Sequence, residues 1–194
     1  TPYRLNNIPS FGASNDRTML YVVFADSRVA ANQLDVFFSR STDEGESWLE
    51  PVRVNDTVEI DGSLQFYPWL SVDPYDNIHV SWHDSRHGDK TELAQYSASS
   101  TDYGLTWSEN EKISDVAADT DTFIGDYTAC VSDHNYVYAL WCDCRNGLTD
   151  PDIFFSKKEN TASSTATPTV TPWATSTSTP ELTASPTRTP TILP

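Results

Sequence analysis

Three segments of this chain line up at a near-constant interval. Leu20 to Arg28, Ile78 to Arg86 and Val137 to Arg145 read L-Y-V-V-F-A-D-S-R, I-H-V-S-W-H-D-S-R and V-Y-A-L-W-C-D-C-R, offset by 58 and then 59 residues. A period of this length means a repeated supersecondary unit, which cannot bury its apolar face alone and must stack on its neighbours. Alternation within each segment is that of a strand. Leu20, Val22 and Phe24 share one face, as do Ile78, Val80 and Trp82, and again Val137, Ala139 and Trp141. The opposite faces are mixed in character.

A second repeat follows the first two strands. Ser41 to Trp48 reads S-T-D-E-G-E-S-W and Ser100 to Trp107 reads S-T-D-Y-G-L-T-W, again 59 apart, so both fit S-x-D-x-G-x-x-W. Chemically this is a hairpin turn: Asp43 and Asp102 accept backbone N–H bonds, Gly45 and Gly104 take positive φ, and Trp48 and Trp107 cover the hairpin. The octets, anchored by Ser41 and Ser100, resemble the Asp box of sialidases and other BNR-repeat propellers, over residues 10 to 158. The resemblance implies an all-β chain: a β-propeller of four-stranded antiparallel blades around a channel, about three blades of a six-bladed sialidase-like whole. In that family the box joins the third and fourth strands of a blade, away from the ligand face, so it reports fold and not activity.

With the box as landmark, the middle blade is expected at Phe66 to Asp73, Asn77 to His83, Leu93 to Ser99 and Trp107 to Ile113. The first blade has Met19 to Ala25, Asp35 to Arg40 and Trp48 to Val54 but no clear inner strand. The third has Ile124 to Val131, Tyr136 to Cys142 and Asp152 to Lys157 but no box and no fourth strand. Propellers commonly close by completing the last blade with a strand from the other end of the domain, so the missing strand is expected upstream of Thr1. Residues 1–160 therefore read as the last blades of a larger domain. Residues 161–194 are almost entirely Thr, Ser, Pro and Ala, a composition that favours extended chain and supports no core. They read as a disordered linker leading to further modules, or as an unstructured end without a role.

The formal charge of −16 lies in the body, because the tail carries only Glu181 and Arg188. Such acidity argues against nucleic acid and anionic membrane surfaces. No apolar stretch is long enough to span a bilayer. The three cysteines, Cys130, Cys142 and Cys144, do not form a disulfide framework. A hairpin turning near His134 would set Cys142 opposite residue 126, about four residues or roughly 13 Å from Cys130, too far to bridge.

On a propeller the ligand-face loops would run from Asp26 to Gln33, Asn55 to Leu64, Asp84 to Lys90, Ser114 to Phe123 and Asp143 to Asp150. D-x-R triplets open three of them: Asp26 and Arg28, Asp84 and Arg86, Asp143 and Arg145. The resemblance implies that a sialidase would hold a carboxylate with three arginines, use a Tyr activated by a Glu as nucleophile and an Asp as acid/base, an exception to the usual carboxylate pair. Arg86 and Arg145, with Arg28, are the candidates for the clamp, or else braces for their own loops. Tyr67 and Tyr127, near inner-strand starts, are the candidate nucleophiles, or else packing residues. Glu59 and Glu92 lie near the same face. The family's F-R-I-P segment is absent, with only R-L-N-N-I-P at Arg4 to Pro9.

Asp115, Asp119, Asp121 and Asp126 offer the oxygens that Ca²⁺ takes, without a recognised motif, and the spacing of His83, His87, Cys142 and Cys144 fits no zinc site. No cofactor is therefore assigned. Two functions follow: a secreted or cell-surface propeller that binds carbohydrate or an extracellular protein, or an exo-α-sialidase whose catalytic residues lie partly upstream. The acidity of the visible face favours the first, since an anionic sugar needs convergent positive charge.

Overall fold

The computed structural model describes residues 8–58, 60–87, 92–119, 124–147 and 150–161. The Thr/Ser/Pro segment lies almost wholly outside the described residues. Those described form three antiparallel sheets and no helix. Sheet 1 runs β1 (Ser10–Ala13), β2 (Leu20–Asp26), β3 (Asp35–Ser41) and β4 (Val52–Arg53), each paired to the next. Sheet 2 runs β5 (Gln65–Val72), β6 (Ile78–Asp84), β7 (Glu92–Ser100) and β8 (Glu111–Lys112), with β9 (Ala118–Asp119) on the start of β7. Sheet 3 runs β10 (Ala129–Ser132), β11 (Tyr136–Asp143) and β12 (Asp152–Glu159).

The repeat thus falls on β2, β6 and β11, the second strand of each sheet. Sheet 1 does have a first strand: β1 pairs with β2 over Ser10–Ala13, where the sequence shows no strand signal because small residues replace the alternation. The fourth strands are shorter than expected, two residues each, although Leu49 and Ser108 N–H already reach the third strand at Arg40 and Ser99, both at 2.9 Å. Sheet 3 has three strands among the described residues. In the β10–β11 register Cys130 faces Ala139, one residue away from the expected pairing, and all three cysteines are free and buried.

The sheets stack in chain order, with their first strands side by side. Leu70 N–H donates to Ser10 Oγ at 3.1 Å, joining β5 to β1, and the Ser71 and Ser132 hydroxyls meet at 2.7 Å, joining β5 to β10. Aligning the three registers shows what each sheet turns toward the next. Sheet 1 presents Tyr21, Val23, Ala25, Val36 and Phe38; sheet 2 presents His79, Ser81, His83, Gln95 and Ser97; sheet 3 presents Tyr138, Leu140, Cys142, Ile153 and Phe155. Tyr21, Val23, Val36 and Phe38 form the main core with Ile78, Val80, Trp82 and Tyr96 of sheet 2, while Ala25 joins a second cluster with Leu64 and Phe66. Burying such side chains is worth about 1.5–3 kcal/mol each, so this interface dominates cohesion. The third set leaves Leu140, Ile153 and Phe155 exposed at 37%, 56% and 62%.

Both S-x-D-x-G-x-x-W octets close the turn after a third strand. Asp43 accepts from Ser47 N–H and Asp102 from Thr106 N–H, each at 2.9 Å, while Gly45 and Gly104 N–H donate to Ser41 and Ser100 Oγ. Gly45 and Gly104 have φ of 90° and 81°, and the preceding Glu44 and Tyr103 are both at 61°. The tryptophans do not simply cover their own hairpins. Trp107 packs edge-on to Phe38 of sheet 1 at 5.2 Å, and Trp48 reaches Phe11 of β1 at 6.2 Å.

Candidate functional site

The three D-x-R triplets stand at the end of the sheets opposite the octets, because β6 runs from Ile78, opposite Ser100, to Asp84, opposite Ala94. Their chemistry is set two residues earlier. Trp82 Nε1–H donates to Asp84 Oδ2 at 3.0 Å and Trp141 Nε1–H to Asp143 Oδ2 at 2.9 Å, which fixes each buried carboxylate beneath its arginine. Sheet 1 has Phe24 at that position, which cannot donate. Among the described residues the Asp26 carboxylate is accordingly tied to Arg28 alone, at 2.8 Å, and both are partly exposed.

Arg86 is held on every side. Its Nε and one terminal nitrogen donate to Asp84 Oδ2 at 3.0 and 2.8 Å, and further donors reach Asp56 at 2.7 Å and Asn110 at 2.9 Å. Its guanidinium lies 4.2 Å from the centre of the Tyr96 ring. Burial opposes the charge, but Asp84 and Asp56 outweigh it and raise the pKa above the ordinary arginine value. Arg145 repeats the pattern: Nε and a terminal nitrogen donate to Asp143 at 3.0 and 2.6 Å, a further donor goes to Asp115, and Phe154 lies 3.8 Å below. Each arginine therefore links its own turn to the Asp 30 residues earlier, in the loop entering its sheet.

Asp115, one of the expected Ca²⁺ oxygens, is thus committed to Arg145, whose hydrogen bond lowers its pKa. Asp119, in β9, pairs with Glu92 of β7, and Asp121 and Glu59 lie outside the described residues. Glu92 opens β7. No group of three metal-ligating side chains comes together among the described residues.

The two tyrosines part company. Tyr67 is buried, packed on Phe66 at 5.0 Å and edge-on to His83 at 6.1 Å, in a β5 bulge ahead of Pro68. Its φ of 51° is a left-handed conformation that an aromatic residue adopts at a cost. Tyr127 is 68% exposed.

Sequence reasoning missed a buried polar chain behind this face. Asp35, wholly buried, accepts from Gln33 at 3.0 Å and Asn55 at 2.8 Å, while Gln65 Nε2–H reaches Asp84 at 3.2 Å. Asn55 Nδ2–H also lies 3.4 Å from Gln65 Oε1, so the chain runs from sheet 1 to the Asp84–Arg86 pair. Asp35 opens β3 immediately ahead of Val36, Phe37 and Phe38, a signal available in the sequence. Its partners converge only in the fold.

No family model matches the sequence, and no curated protein matches it. Solved structures do. A Hadza microbial sialidase aligns at 18% identity and TM-score 0.56, over 77% of this chain and 35% of the other. An α-L-arabinanase of Penicillium chrysogenum, complexed with arabinobiose, aligns at 18% identity and TM-score 0.61, over 78% and 45%. The GH93 α-L-arabinofuranosidase of Fusarium graminearum, also with arabinobiose, aligns at 16% and 0.56, over 78% and 44%. The chain thus spans less than half the length of these structures, and what it shares with them is the fold.

Proposed function

We propose that residues 1–160 are the last blades of a sialidase-like Asp-box propeller that binds glycans outside the cell, and that residues 161–194 are a linker to further modules. The fold shared with sialidase and arabinanase structures supports a carbohydrate-directed propeller, with secretion or cell-surface display as its setting. One observation carries the choice of binding over turnover. The guanidinium groups of Arg86 and Arg145 are filled by Asp84 and Asp56, and by Asp143 and Asp115, so they brace loops and offer little to a sugar carboxylate. A catalytic reading, exo-α-sialidase, draws on the strained, buried Tyr67.

Arg86→Ala and Arg145→Ala in the longer protein should each lower stability by about 1–3 kcal/mol by leaving a buried carboxylate unpaired, with no turnover of a fluorogenic sialoside by the parent. Thermal melts beside a hydrolysis assay decide this. Turnover that vanishes in an Arg86→Ala protein of normal melting temperature would make the arginine a clamp and the protein a sialidase.

A further inference from the structure

The layer between sheets 2 and 3 is polar where the corresponding layer between sheets 1 and 2 is apolar. Ser81 stands where sheet 1 has Val23, and Ser97 where it has Phe38. These two truncations coincide with a cavity of about 400 Å³, walled by sheet 2 on one side and by Cys130, Val137 and Ala139 of sheet 3 on the other. Its mouth, at the octet end, carries the exposed Thr101 and Glu159. The candidate site at the D-x-R triplets is at the opposite end of β6.

The wall is short of partners. Ser81, wholly buried, has no hydrogen-bond partner for its Oγ among the described residues, and neither has Nε1 of Trp107, which also lines the cavity. The Cys130 thiol lies near Ser81. Burial pushes its pKa up to about 12, eased by the serine hydroxyl, yet the two form no hydrogen bond of ordinary geometry. Deeper in the same layer, burial lowers the pKa of His83; its Nε2–H donates to the Cys142 carbonyl at 3.0 Å, so Nδ1 carries a lone pair with no partner among the described residues. Both amide atoms of Gln95, paired with His83 and like it outside the cavity lining, have no partner among the described residues either. Buried polar groups in native proteins are almost always satisfied, so this concentration marks a place for hydrogen-bonding material that is not protein.

The chemistry of the wall selects the occupant. Ser81, Ser97 and Ser156 bring hydroxyls that can donate or accept, Ser99 and Thr106 bring hydroxyls already bonded to His79 and Asp102, and Trp107 brings an indole N–H without a partner among the described residues. Among the described residues, Lys158 of the lining is paired with Glu111, which offsets its charge toward an anion, and no three-ligand metal group is present. We propose that this cavity is a second binding site, for a neutral polyhydroxylated ligand of monosaccharide size. Its volume is within the range of small-ligand pockets.

The test uses the whole chain, kept monomeric by Ile153→Thr and Phe155→Lys on the exposed face of sheet 3 and outside the cavity, and the indole N–H resonance of Trp107, identified by its loss in Trp107→Phe. D-galactose and L-arabinose serve as neutral probes and N-acetylneuraminic acid as the anionic one. The expected result is a saturable shift of that resonance with a neutral probe and none with the acid. Ser81→Val with Ser97→Phe restores the side chains of the first interface; it should weaken the neutral probe by about tenfold or more while the protein melts no lower than the parent. Should the phenylalanine prevent folding, Ser81→Val alone must still weaken the probe. The absence of a shift with both neutral sugars would leave a hydrated layer only and overturn the proposal. So would a shift of unchanged affinity in the filled protein, or a shift produced by the acid alone.

Discussion

Gly45 and Gly104 occupy the same motif position with nearly the same φ, yet they stand in different surroundings. A Cβ on Gly104 would lie 2.1 Å from Phe38 Cε1, within the neighbouring sheet, whereas on Gly45 its nearest contact would be Leu20 Cδ1 at 3.3 Å. Both substitutions strain the backbone, but Gly104→Ala also drives an aromatic ring out of the core. Gly104→Ala should therefore cost about 1–3 kcal/mol more than Gly45→Ala, measured by urea denaturation. Phe38→Leu should recover part of the difference only in the Gly104→Ala background. Equal losses would show that the motif acts by φ alone. The φ requirement was legible in S-x-D-x-G-x-x-W; the ring under Gly104 was not, because Phe38 is 66 residues away in sequence and reaches it only when sheets stack.

At the scale of elements, the turn between β5 and β6 is closed by Asp73. It accepts from Tyr75 and Asn77 N–H at 2.8 and 3.0 Å, and it also meets His79 at 3.0 Å and Asn160, after β12, at 2.7 Å. This one carboxylate thereby fastens sheet 2 to the end of sheet 3. Burial opposes its ionisation, but the bonds from His79, Asn160 and Asn77 prevail and hold it well below the usual carboxylate range. A pKa depressed by folding contributes stability that is complete above the unfolded value of about 3.9 and is lost as pH falls toward the folded one. Asp73→Asn should lower stability at neutral pH and flatten its decline on acidification below about pH 5, followed by denaturant midpoints at successive pH values. A parallel decline in both proteins would remove Asp73 from the acid response. Sequence reasoning missed this turn; its local part lies within Asp73 to Asn77, whereas the contribution of Asn160 depends on where β12 ends.

For the whole molecule, the decisive feature is the outward face of sheet 3. Leu140, Ile153 and Phe155 occupy positions that sheet 1 fills with Val23, Val36 and Phe38 and buries against sheet 2. An apolar face of this kind, beside an edge of β12 unpaired among the described residues, invites association. On the proposed propeller another blade would cover it. The 194-residue chain by itself should run as oligomers or aggregates in size-exclusion chromatography, and Ile153→Thr with Phe155→Lys should shift it toward the monomer. A monomeric, cooperatively melting parent chain would refute the idea that this face awaits a partner.

What the sequence determined by itself is what local chemistry and period can encode. Alternation set the strands β2, β6 and β11, the repeat interval set one sheet per copy, and Ser, Asp and Gly in the octet set the hairpin after β3 and β7. Weak local signals hid the rest: β1 is too short and too small in its side chains to read as a strand. Tertiary structure alone decided which charges meet and which faces are wet. Arg86 could be seen beside Asp84, but not against Asp56, and Ser81 and Ser97 were ordinary strand residues until stacking put both in one wall. The physical reason is common to these cases. A strand fixes which side a residue faces, whereas the partner it faces is chosen by how sheets pack, and that information is spread over residues about one repeat apart.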